Sequence, residues 1–475
     1  MRRSVVFLVL LAVAAPVWAQ NETMLGADFR KEGGSFTSDC TSFSSALSCG
    51  ELLFTGHPLH IAAGSIAPQN GFGAGGAFVY SQNTDTLRLS YDLDAVASMN
   101  GSWRAGFYMR IISTPRLTEN TTCGRPTIPS AEKTPFLQRP VFHLYAQAIS
   151  LNKLDYFGLG STTTVAERTF YGMREVIPGI NVIWPAFRPK SVSLFGEMNG
   201  RIVSIRPSLG QPSPSIEQIY TDVTAPGLAN QPGFIQFGEG IRLRPAPFNG
   251  KLRLNYFVVA QQYLAMSDSR FTFSRFNFDL GHQIPLHSTT RTLLPIDANG
   301  PDTCTTEHDP ATMGDADKKK LTEHPCPRVT RNFEGSLNFH FFLSASVLPA
   351  GNVVPFYFQP TLGGSDINGN AAMSSYQDFR FRAPNVMLFR QSFEHSVWNL
   401  PLGVALAADE GKVGLTRGDL GSNPWIHSFS AGLTLRAGGF PQVYLMFAWG
   451  GNEGTHTIAN VNTSLLGGGA RPSLF

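Results

Sequence analysis

The chain has 475 residues, with 36 Phe, 47 Gly and 12 Tyr, and only 15% of its residues are charged. An ordinary soluble domain carries nearer to 25% charged residues. The net charge of +3 gives no reason to expect a nucleic-acid partner. After the N-terminus no run of about 18 apolar residues occurs, which excludes a helical membrane protein. An exported soluble protein and a transmembrane β-barrel remain, and the composition favours the barrel.

The N-terminus has the pattern of a secretory signal peptide. Arg2 and Arg3 precede an apolar run over residues 5–15, and small residues end at Ala19. The pattern predicts a signal peptide over residues 1–19, too short to span a membrane as a helix.

Five cysteines in an exported chain indicate disulfide bonds. Local pairing is the simplest reading, with Cys40 joined to Cys49 and Cys304 joined to Cys326. Cys123 is then left over, and the sequence alone leaves the connectivity open. The cysteines have no metal-ligand spacing, so we expect neither a metal nor a cofactor.

Residues 20–70 are rich in Ser, Gly and Cys and show little hydrophobic periodicity. We predict an irregular periplasmic extension there. Strand patterns begin at residue 71 and continue to the C-terminus, so the barrel is assigned to residues 71–475. The clearest pattern is in residues 87–95, where apolar residues alternate strictly with Arg88, Ser90, Asp92 and Asp94. This period of two is typical of a strand with lipid on one side and water on the other.

The strand patterns number about sixteen, and single-chain bacterial barrels take even strand numbers. The fold class predicted is therefore all-β, a closed antiparallel transmembrane barrel of about 16 strands. Short turns are predicted to be periplasmic and long loops extracellular. The short turns are Asn100-Gly101, Asn249-Gly250 and Gly438-Gly439, and the long loops are 114–139, 207–232 and 282–331. The terminal aromatic residue, Phe475, is typical of a barrel that assembly machinery inserts.

A polar loop over residues 361–378 follows an aromatic, strand-like run at 353–360 and leads into the alternating run Phe379-Arg380-Phe381-Arg382. A polar loop between two β segments suggests a segment that folds into a polar lumen. The stretch resembles the inward-folded loop of the BamA/TamA-type outer-membrane assembly factors, the bacterial surface antigen family. The residues that carry the resemblance are Gly363, Gly364, Tyr376, Arg380, Phe381 and Arg382.

A second segment resembles the barrel-wall motif of the same family, through Asp409, Gly411 and Lys412. In the family, an arginine of the loop reaches the wall aspartate in a charge-assisted contact. Here Ser374 stands where the family has that arginine. Either Arg380 or Arg382 replaces it, or both are ordinary lumen-facing strand residues, which is the interpretation that we favour.

The resemblance implies a protein of the bacterial outer membrane that inserts or translocates outer-membrane proteins. It implies a weak seam between the first and last strands and a lumen braced by the loop around Tyr376. The partners implied are outer-membrane lipid and lipopolysaccharide, client outer-membrane proteins and a separate periplasmic chain, because residues 20–70 hold no polypeptide-transport-associated domain. The alternative is a passive channel or a structural surface barrel that has lost insertase activity. No motif of a known enzyme class is present, so an enzyme is not expected.

Overall fold

The computed structural model shows an all-β protein. It describes residues 24–39, 58–84, 86–113, 139–187, 191–208, 214–295, 304–308, 329–397, 400–437, 440–451, 453–461 and 474.

Three α-helices and nineteen β-strands occur in these residues. The helices are α1 (Met24–Asp39), α2 (Ile216–Ile219) and α3 (Asp419–Ser422). The first ten strands are β1 (Leu59–Ser65), β2 (Phe72–Asn83), β3 (Leu87–Ser98), β4 (Trp103–Ser113), β5 (Val141–Tyr156), β6 (Thr169–Phe187), β7 (Val192–Pro207), β8 (Phe234–Leu243), β9 (Arg253–Ala265) and β10 (Phe273–Pro295). The others are β11 (Cys304–His308), β12 (Val329–Val347), β13 (Thr361–Leu362), β14 (Phe381–Arg382), β15 (Asn385–Ser396), β16 (Leu402–Gly414), β17 (Ile426–Ala437), β18 (Phe440–Gly451) and β19 (Gly454–Val461).

One antiparallel sheet holds seventeen of these strands. Each strand pairs with the next along the chain, from β1 to β10, then β12, then β15 to β19. The short β11 adds to the end of β10, and without it the sheet has sixteen strands. The predicted sixteen-stranded antiparallel architecture is confirmed. The strands β13 and β14 pair only with each other, within the connection from β12 to β15.

The two faces of the sheet differ in polarity, as the period of two predicts. On β8, Phe237 and Ile241 are exposed on the outer face, whereas Gln236 on the other face is fully buried. The same alternation recurs on β12, where Phe339 and Phe341 share one face and Asn338 and His340 the other. Apolar side chains on the outside and polar side chains on the inside are the arrangement expected of a barrel in lipid.

The two edges of the sheet curl round to the same interior loop. The turn after β1 (Ser65–Gln69) and residues His456–Ala459 of β19 line one cavity of about 890 Å³, together with Tyr376 of the loop. Within the described residues, β1 and β19 share no hydrogen-bonded register. The first and last strands therefore both approach the loop, with this cavity between them and the loop.

The N-terminal region differs from the prediction of an irregular segment over 20–70. Helix α1 lies against the outside of the first strands, where the ring of Phe29 stacks on Phe78 at a centroid distance of 6.3 Å. The amide of Leu59 donates a hydrogen bond to Glu32 Oε2 at 3.2 Å. The sheet begins at Leu59 rather than at residue 71. Strand β1 could not be recognised from the sequence, because its inward positions include Ala62 and Gly64. Apolar and polar residues therefore do not alternate along it.

Two predicted strands before and after the loop are also corrected. Residues 353–360 form a short 3-10 turn at Phe356–Phe358 instead of a strand, because Pro355 and Pro360 interrupt any ladder there. The run at 379–382 is not part of the wall. Phe379 has a φ of +61°, β14 has only two residues, and the wall strand β15 starts at Asn385.

The predicted assignment of short turns to one end of the barrel and long loops to the other is wrong. Antiparallel strands alternate in direction, so successive connections must alternate between the two ends. We call the end that carries residues 348–384 the loop end. Asn100-Gly101 and the 207–232 connection lie at the loop end. The strand ends that bound the predicted 114–139 and 282–331 loops and the predicted Gly438-Gly439 turn lie at the opposite end, with Asn249-Gly250. The last long loop is also shorter than predicted, since β10 continues to Pro295 and β12 starts at Val329.

Several predictions fall outside the described residues. They are the signal peptide over 1–19, the side chains of Cys40, Cys49, Cys123, Cys304 and Cys326, and Phe475. The neighbouring Leu474 is buried, and its amide donates a hydrogen bond to Asn368 Oδ1 of the loop at 2.8 Å. None of the described helices has the length and apolarity needed to cross a membrane.

Candidate functional site: the loop inside the barrel

The connection between β12 and β15 turns into the interior and is buried there. Its first part carries three consecutive aromatic residues, Phe356, Tyr357 and Phe358, each at most 2% exposed. Phe356 packs edge-on against Tyr156 and Tyr171 at centroid distances of 5.2 and 5.1 Å. These contacts reach inward-facing residues of β5 and β6. Burial of large aromatic side chains dominates core energetics, so this aromatic segment anchors the loop at its N-terminal side.

The glycine pair gives the loop its sharp reversal. Gly363 and Gly364 have φ values of +103° and +57°, a region that residues with a Cβ rarely adopt. A Cβ on Gly363 would lie 2.6 Å from the Cβ of Arg380, and one on Gly364 would lie 2.6 Å from the amide nitrogen of Asp378. The two glycines are therefore required both by the backbone conformation and by the close approach of the returning chain.

The wall aspartate Asp409 contacts the loop, and its arginine partner comes from the wall. Asp409 Oδ2 accepts a hydrogen bond from the amide of Met373 at 2.6 Å. Its two carboxylate oxygens also accept from Arg390 Nε and Nη2 at 2.6 and 2.7 Å. Arg390 belongs to β15 and pairs in register with Asp409 on β16. It also donates to the carbonyl oxygen of Ala371 in the loop. Ser374 stands in the loop where the family has an arginine, and here Arg390 of the wall supplies that arginine instead.

Gly411 lets the loop approach this part of the wall. A Cβ there would lie 2.7 Å from Leu362 Cδ1 and 2.7 Å from Met373 Sδ. Lys412, the third residue of the wall motif, does not contact the loop through the hydrogen bonds described. Lys412 faces the outside of the sheet, where its ammonium group lies 4.7 Å from the ring centre of Trp425 and its Nζ donates to the carbonyl of Gly421 at 3.4 Å.

Arg380 ties the loop to two turns at the loop end of the barrel. It donates to Thr163 Oγ1 at 2.7 Å and to the Thr163 carbonyl at 2.5 Å. Its Nε donates to Glu453 Oε1 in the turn between β18 and β19. Thr163 precedes β6 and Glu453 precedes β19, so one buried side chain spans the interior. The interpretation of Arg380 as an ordinary wall residue is corrected.

Arg382 and Arg275 hold the carbonyl oxygens of the aromatic segment. Arg382 Nη1 donates to the carbonyl of Phe356 at 2.7 Å, and its Nη2 donates to Tyr171 Oη at 3.3 Å. Arg275 on β10 donates to the carbonyl of Phe358 at 2.5 Å. Both arginines are at most 3% exposed. Buried carbonyl groups need such donors, because a turn inside the barrel has no strand to pair with.

Tyr376 and Phe381 pack together on the other side of the loop. Their rings meet edge-on at 5.0 Å. A Cβ on Gly451 of β18 would lie 2.7 Å from the Tyr376 ring, so that glycine makes room for the tyrosine. All six predicted loop residues are thus brought into one buried assembly with Asp409 and Gly411.

Two carboxyl groups of the loop carry shifted pKa values. Burial raises the pKa of Asp378 above its usual value, although the backbone amide of Ser365 donates to its Oδ1 at 2.7 Å. Burial also raises the pKa of Asp366, whose Oδ1 accepts from the amides of Asn368 and Asn370 at 2.9 and 2.8 Å. Both groups therefore bind a proton more readily in the packed loop than in water.

Sequence reasoning missed Arg390, Arg275, Thr163 and Glu453. A signal existed for Arg390, because it occupies an inward position of the period-two run on β15, as Asp409 does on β16. The contacts of Arg380 join residues 217 and 73 positions apart, and no local pattern marks them.

Cavities lie beside the loop in the described interior. One cavity of about 490 Å³ is lined by Arg253, Arg390, Glu394 and other residues of β9 to β19. The second is the cavity of about 890 Å³ beside the first and last strands. Among the described residues, no group of three or more His, Cys, Asp or Glu side chains is placed to hold a metal ion.

The fold and the site define a class of protein: a sixteen-stranded antiparallel β-barrel whose interior is occupied by one of its own loops. No protein-family model matches the sequence, and no curated protein matches it. Among solved structures, the chain is similar to CdiB from Acinetobacter baumannii, with 10% identity, a TM-score of 0.43 and coverage of 84% of this chain and 57% of that one.

Two further solved structures are similar at the same level. CdiB from Escherichia coli has 11% identity and a TM-score of 0.44, with coverage of 82% of this chain and 58% of that one. BamA from Haemophilus ducreyi, in a form lacking POTRA domains 1–3, has 9% identity and a TM-score of 0.45, with coverage of 85% and 67%. The chain thus spans less than two thirds of either CdiB chain.

Proposed function

We propose that this protein is an outer-membrane β-barrel that takes part in the insertion or translocation of outer-membrane proteins, in the manner of BamA/TamA-type factors. The observation that carries the proposal is the loop held inside the barrel by Asp409. In the family that the sequence resembles, the corresponding loop reaches the corresponding wall aspartate. In this chain the wall aspartate is Asp409, and the arginine that pairs with it is Arg390 of β15.

The arrangement of the sheet supports the same role. An open passive channel needs a continuous lumen, but the aromatic segment and the loop occupy the interior and contact both sides of the wall. Within the described residues, β1 and β19 share no hydrogen-bonded register, and both line the cavity beside the loop. A barrel with unpaired edge strands exposes backbone donors and acceptors that can template another strand. Such an edge suits a protein that handles β-strands of a client.

The apolar outer face supports a membrane location for the barrel. In lipid, backbone polar groups must be satisfied within the protein, which a barrel of paired strands achieves. Outer-membrane lipid and lipopolysaccharide are therefore proposed as its surroundings, and unfolded outer-membrane proteins as its clients. A separate periplasmic chain is proposed to deliver them.

The test is folding of a urea-unfolded outer-membrane β-barrel into lipid vesicles. Folding is followed by the change in gel mobility between heated and unheated samples. Vesicles that contain the wild-type protein are expected to fold the client faster than empty vesicles. Vesicles with the variant Arg390→Gln are expected to lose most of that acceleration, because Asp409 then lacks its bidentate partner.

The matched control is Arg270→Gln, which breaks an exposed pair with Asp268 in the turn after β9. This variant is expected to keep the wild-type rate. Equal rates for wild-type and empty vesicles would contradict the proposal. A large, steady ion conductance in the same vesicles would then favour the passive channel.

A further inference from the structure

A single carboxyl group lies in the middle of the lipid-facing surface of β8. Glu239 is the sixth of ten residues in this strand. It shares the outer face with Phe237 and Ile241, which are 40% and 47% exposed. Gln236 and Gly238 occupy the inner face. A strand of 9–11 residues spans the hydrocarbon layer, so Glu239 lies near its middle.

The surroundings of Glu239 leave it accessible from outside. Its register neighbours are Gly196 on β7 and Ala260 on β9, both too small to cover it. Gln262 lies one step further along β9, opposite Phe237, and Ser274 on β10 lies opposite Gln262. We call these five residues the Glu239 patch: Gly196, Glu239, Ala260, Gln262 and Ser274. Around the patch, Met198, Leu264 and Phe276 are 51%, 42% and 41% exposed.

Within the described part of the chain, no side chain donates a hydrogen bond to Glu239. The outward Glu410 near the loop end of β16 differs, because it lies 3.4 Å from His427 Nδ1. A carboxyl group in hydrocarbon without a hydrogen-bond partner is costly, and ionisable residues at membrane depth mark functional contacts. A partner that places a hydrogen-bond donor beside Glu239 at this depth would therefore stabilise the carboxyl group.

We propose that the patch binds the same patch of a second copy of this chain, about a two-fold axis along the membrane normal. The carboxyl group of Glu239 in each copy accepts a hydrogen bond from the Gln262 amide of the other. A second copy fits because one patch carries both the acceptor, Glu239, and the donor, Gln262. A surface with both is self-complementary, which a two-fold interface requires.

The small residues of the patch favour the same dimer contact. Gly196 and Ala260 let the two sheets approach closely, as small residues do where membrane segments pack. Met198, Leu264 and Phe276 then contribute an apolar rim. The inference rests on the membrane placement in the proposed function, and it assigns this barrel a dimer interface on β7–β10.

The test uses the full-length protein in outer membranes with the photo-crosslinking residue p-benzoylphenylalanine in place of Phe237. Ultraviolet irradiation is expected to give an adduct at twice the mass of the chain. The same substitution at Phe107, which is 37% exposed on the outer face of β4, is the matched control and is expected to give none. Glu239→Leu should reduce the adduct roughly tenfold, the effect of losing both hydrogen bonds. Glu239→Gln keeps a hydrogen-bonding group and should retain it.

An adduct of any other mass, no adduct, or an adduct that Glu239→Leu leaves unchanged would overturn this inference. Extraction of the membranes with alkaline carbonate separates this failure from failure of the proposed function. A protein that stays in the membrane without an adduct refutes the dimer alone. A protein that carbonate releases refutes the membrane placement on which both proposals depend.

Discussion

At the scale of single residues, the pair of Arg390 and Asp409 decides whether the loop stays inside. The Asp409 side chain is 3% exposed and that of Arg390 is 26% exposed. Removing one partner from a buried ion pair leaves an uncompensated charge and costs about 3–5 kcal/mol. The pair also fixes the loop by two backbone contacts, through the amide of Met373 and the carbonyl of Ala371.

We predict that Arg390→Gln lowers the urea midpoint of the barrel folded in detergent and exposes residues 361–378 to protease. The free energy of unfolding should fall by about 3 kcal/mol, at the lower limit for a buried pair because Arg390 is partly exposed. The double variant Arg390→Met, Asp409→Leu removes both charges and should recover part of this loss. If the single and double variants unfold at the same midpoint as wild type, the pair does not hold the loop.

A second prediction concerns Gly363. Gly363→Ala and Gly369→Ala both place a Cβ at positive φ, at +103° and +82°. Only at Gly363 does the new Cβ meet other atoms, and at Gly369 nothing lies within 4 Å. The alanine at 369 should cost about 1–2 kcal/mol from conformation alone, and the one at 363 clearly more. Urea titration of both variants checks this, and equal midpoints would show that the chain is not crowded at Gly363.

At the scale of elements, the loop behaves as a plug stabilised by buried arginines and two half-buried carboxyl groups. The raised pKa of Asp378 and Asp366 couples the plug to pH. The packed loop binds a proton more tightly than the released loop, so protonation adds stability at low pH. That contribution is fully present below the ordinary pKa of an aspartate and is lost as pH rises through the raised value.

We therefore predict that the loop resists protease better in mild acid than at neutral pH. The variant Asp366→Asn, Asp378→Asn should abolish this dependence, since an amide oxygen still accepts the hydrogen bonds and does not titrate. Hydrogen exchange of residues 361–378 against pH, corrected for intrinsic rates, measures the effect. Greater protection at neutral pH in the wild type would contradict the sign.

Elements with strict alternation could be predicted from the sequence, and those without it could not. The alternation in β3 and β12 is clear because lipid and lumen impose opposite polarities on their two faces. The alternation of Phe379 to Arg382 wrongly predicted a wall strand. The same polarity pattern arises here in a buried loop whose arginines bind carbonyl oxygens. Strand β1 was missed because two of its three inward residues, Ala62 and Gly64, are small and apolar.

The site was predictable as a set of residues but not as a set of contacts. Asp409, Gly411 and the glycine pair are marked by motif, and the structure brings them together around the loop. Arg390 could have been found only with the register of β15 on β16. Thr163 and Glu453 meet Arg380 because the whole sheet curls, which is a property of closure that no local pattern contains.

At the scale of the whole molecule, the central claim is that the loop closes the interior of the barrel. The aromatic segment, the arginine contacts and the wall aspartate all act to keep it there. Cavities of about 490 and 890 Å³ lie beside the loop. A molecule built in this way should conduct ions poorly until the loop is released.

The most direct test is single-channel conductance in a planar lipid bilayer, with wild type compared with the double variant Tyr376→Ala, Asp409→Ala. The variant loses the aromatic contact with Phe381 and the acceptor for Met373 and Arg390. We predict small, flickering conductance for the wild type and a clear increase for the variant. A large, steady conductance that the two substitutions leave unchanged would contradict a loop that fills the lumen.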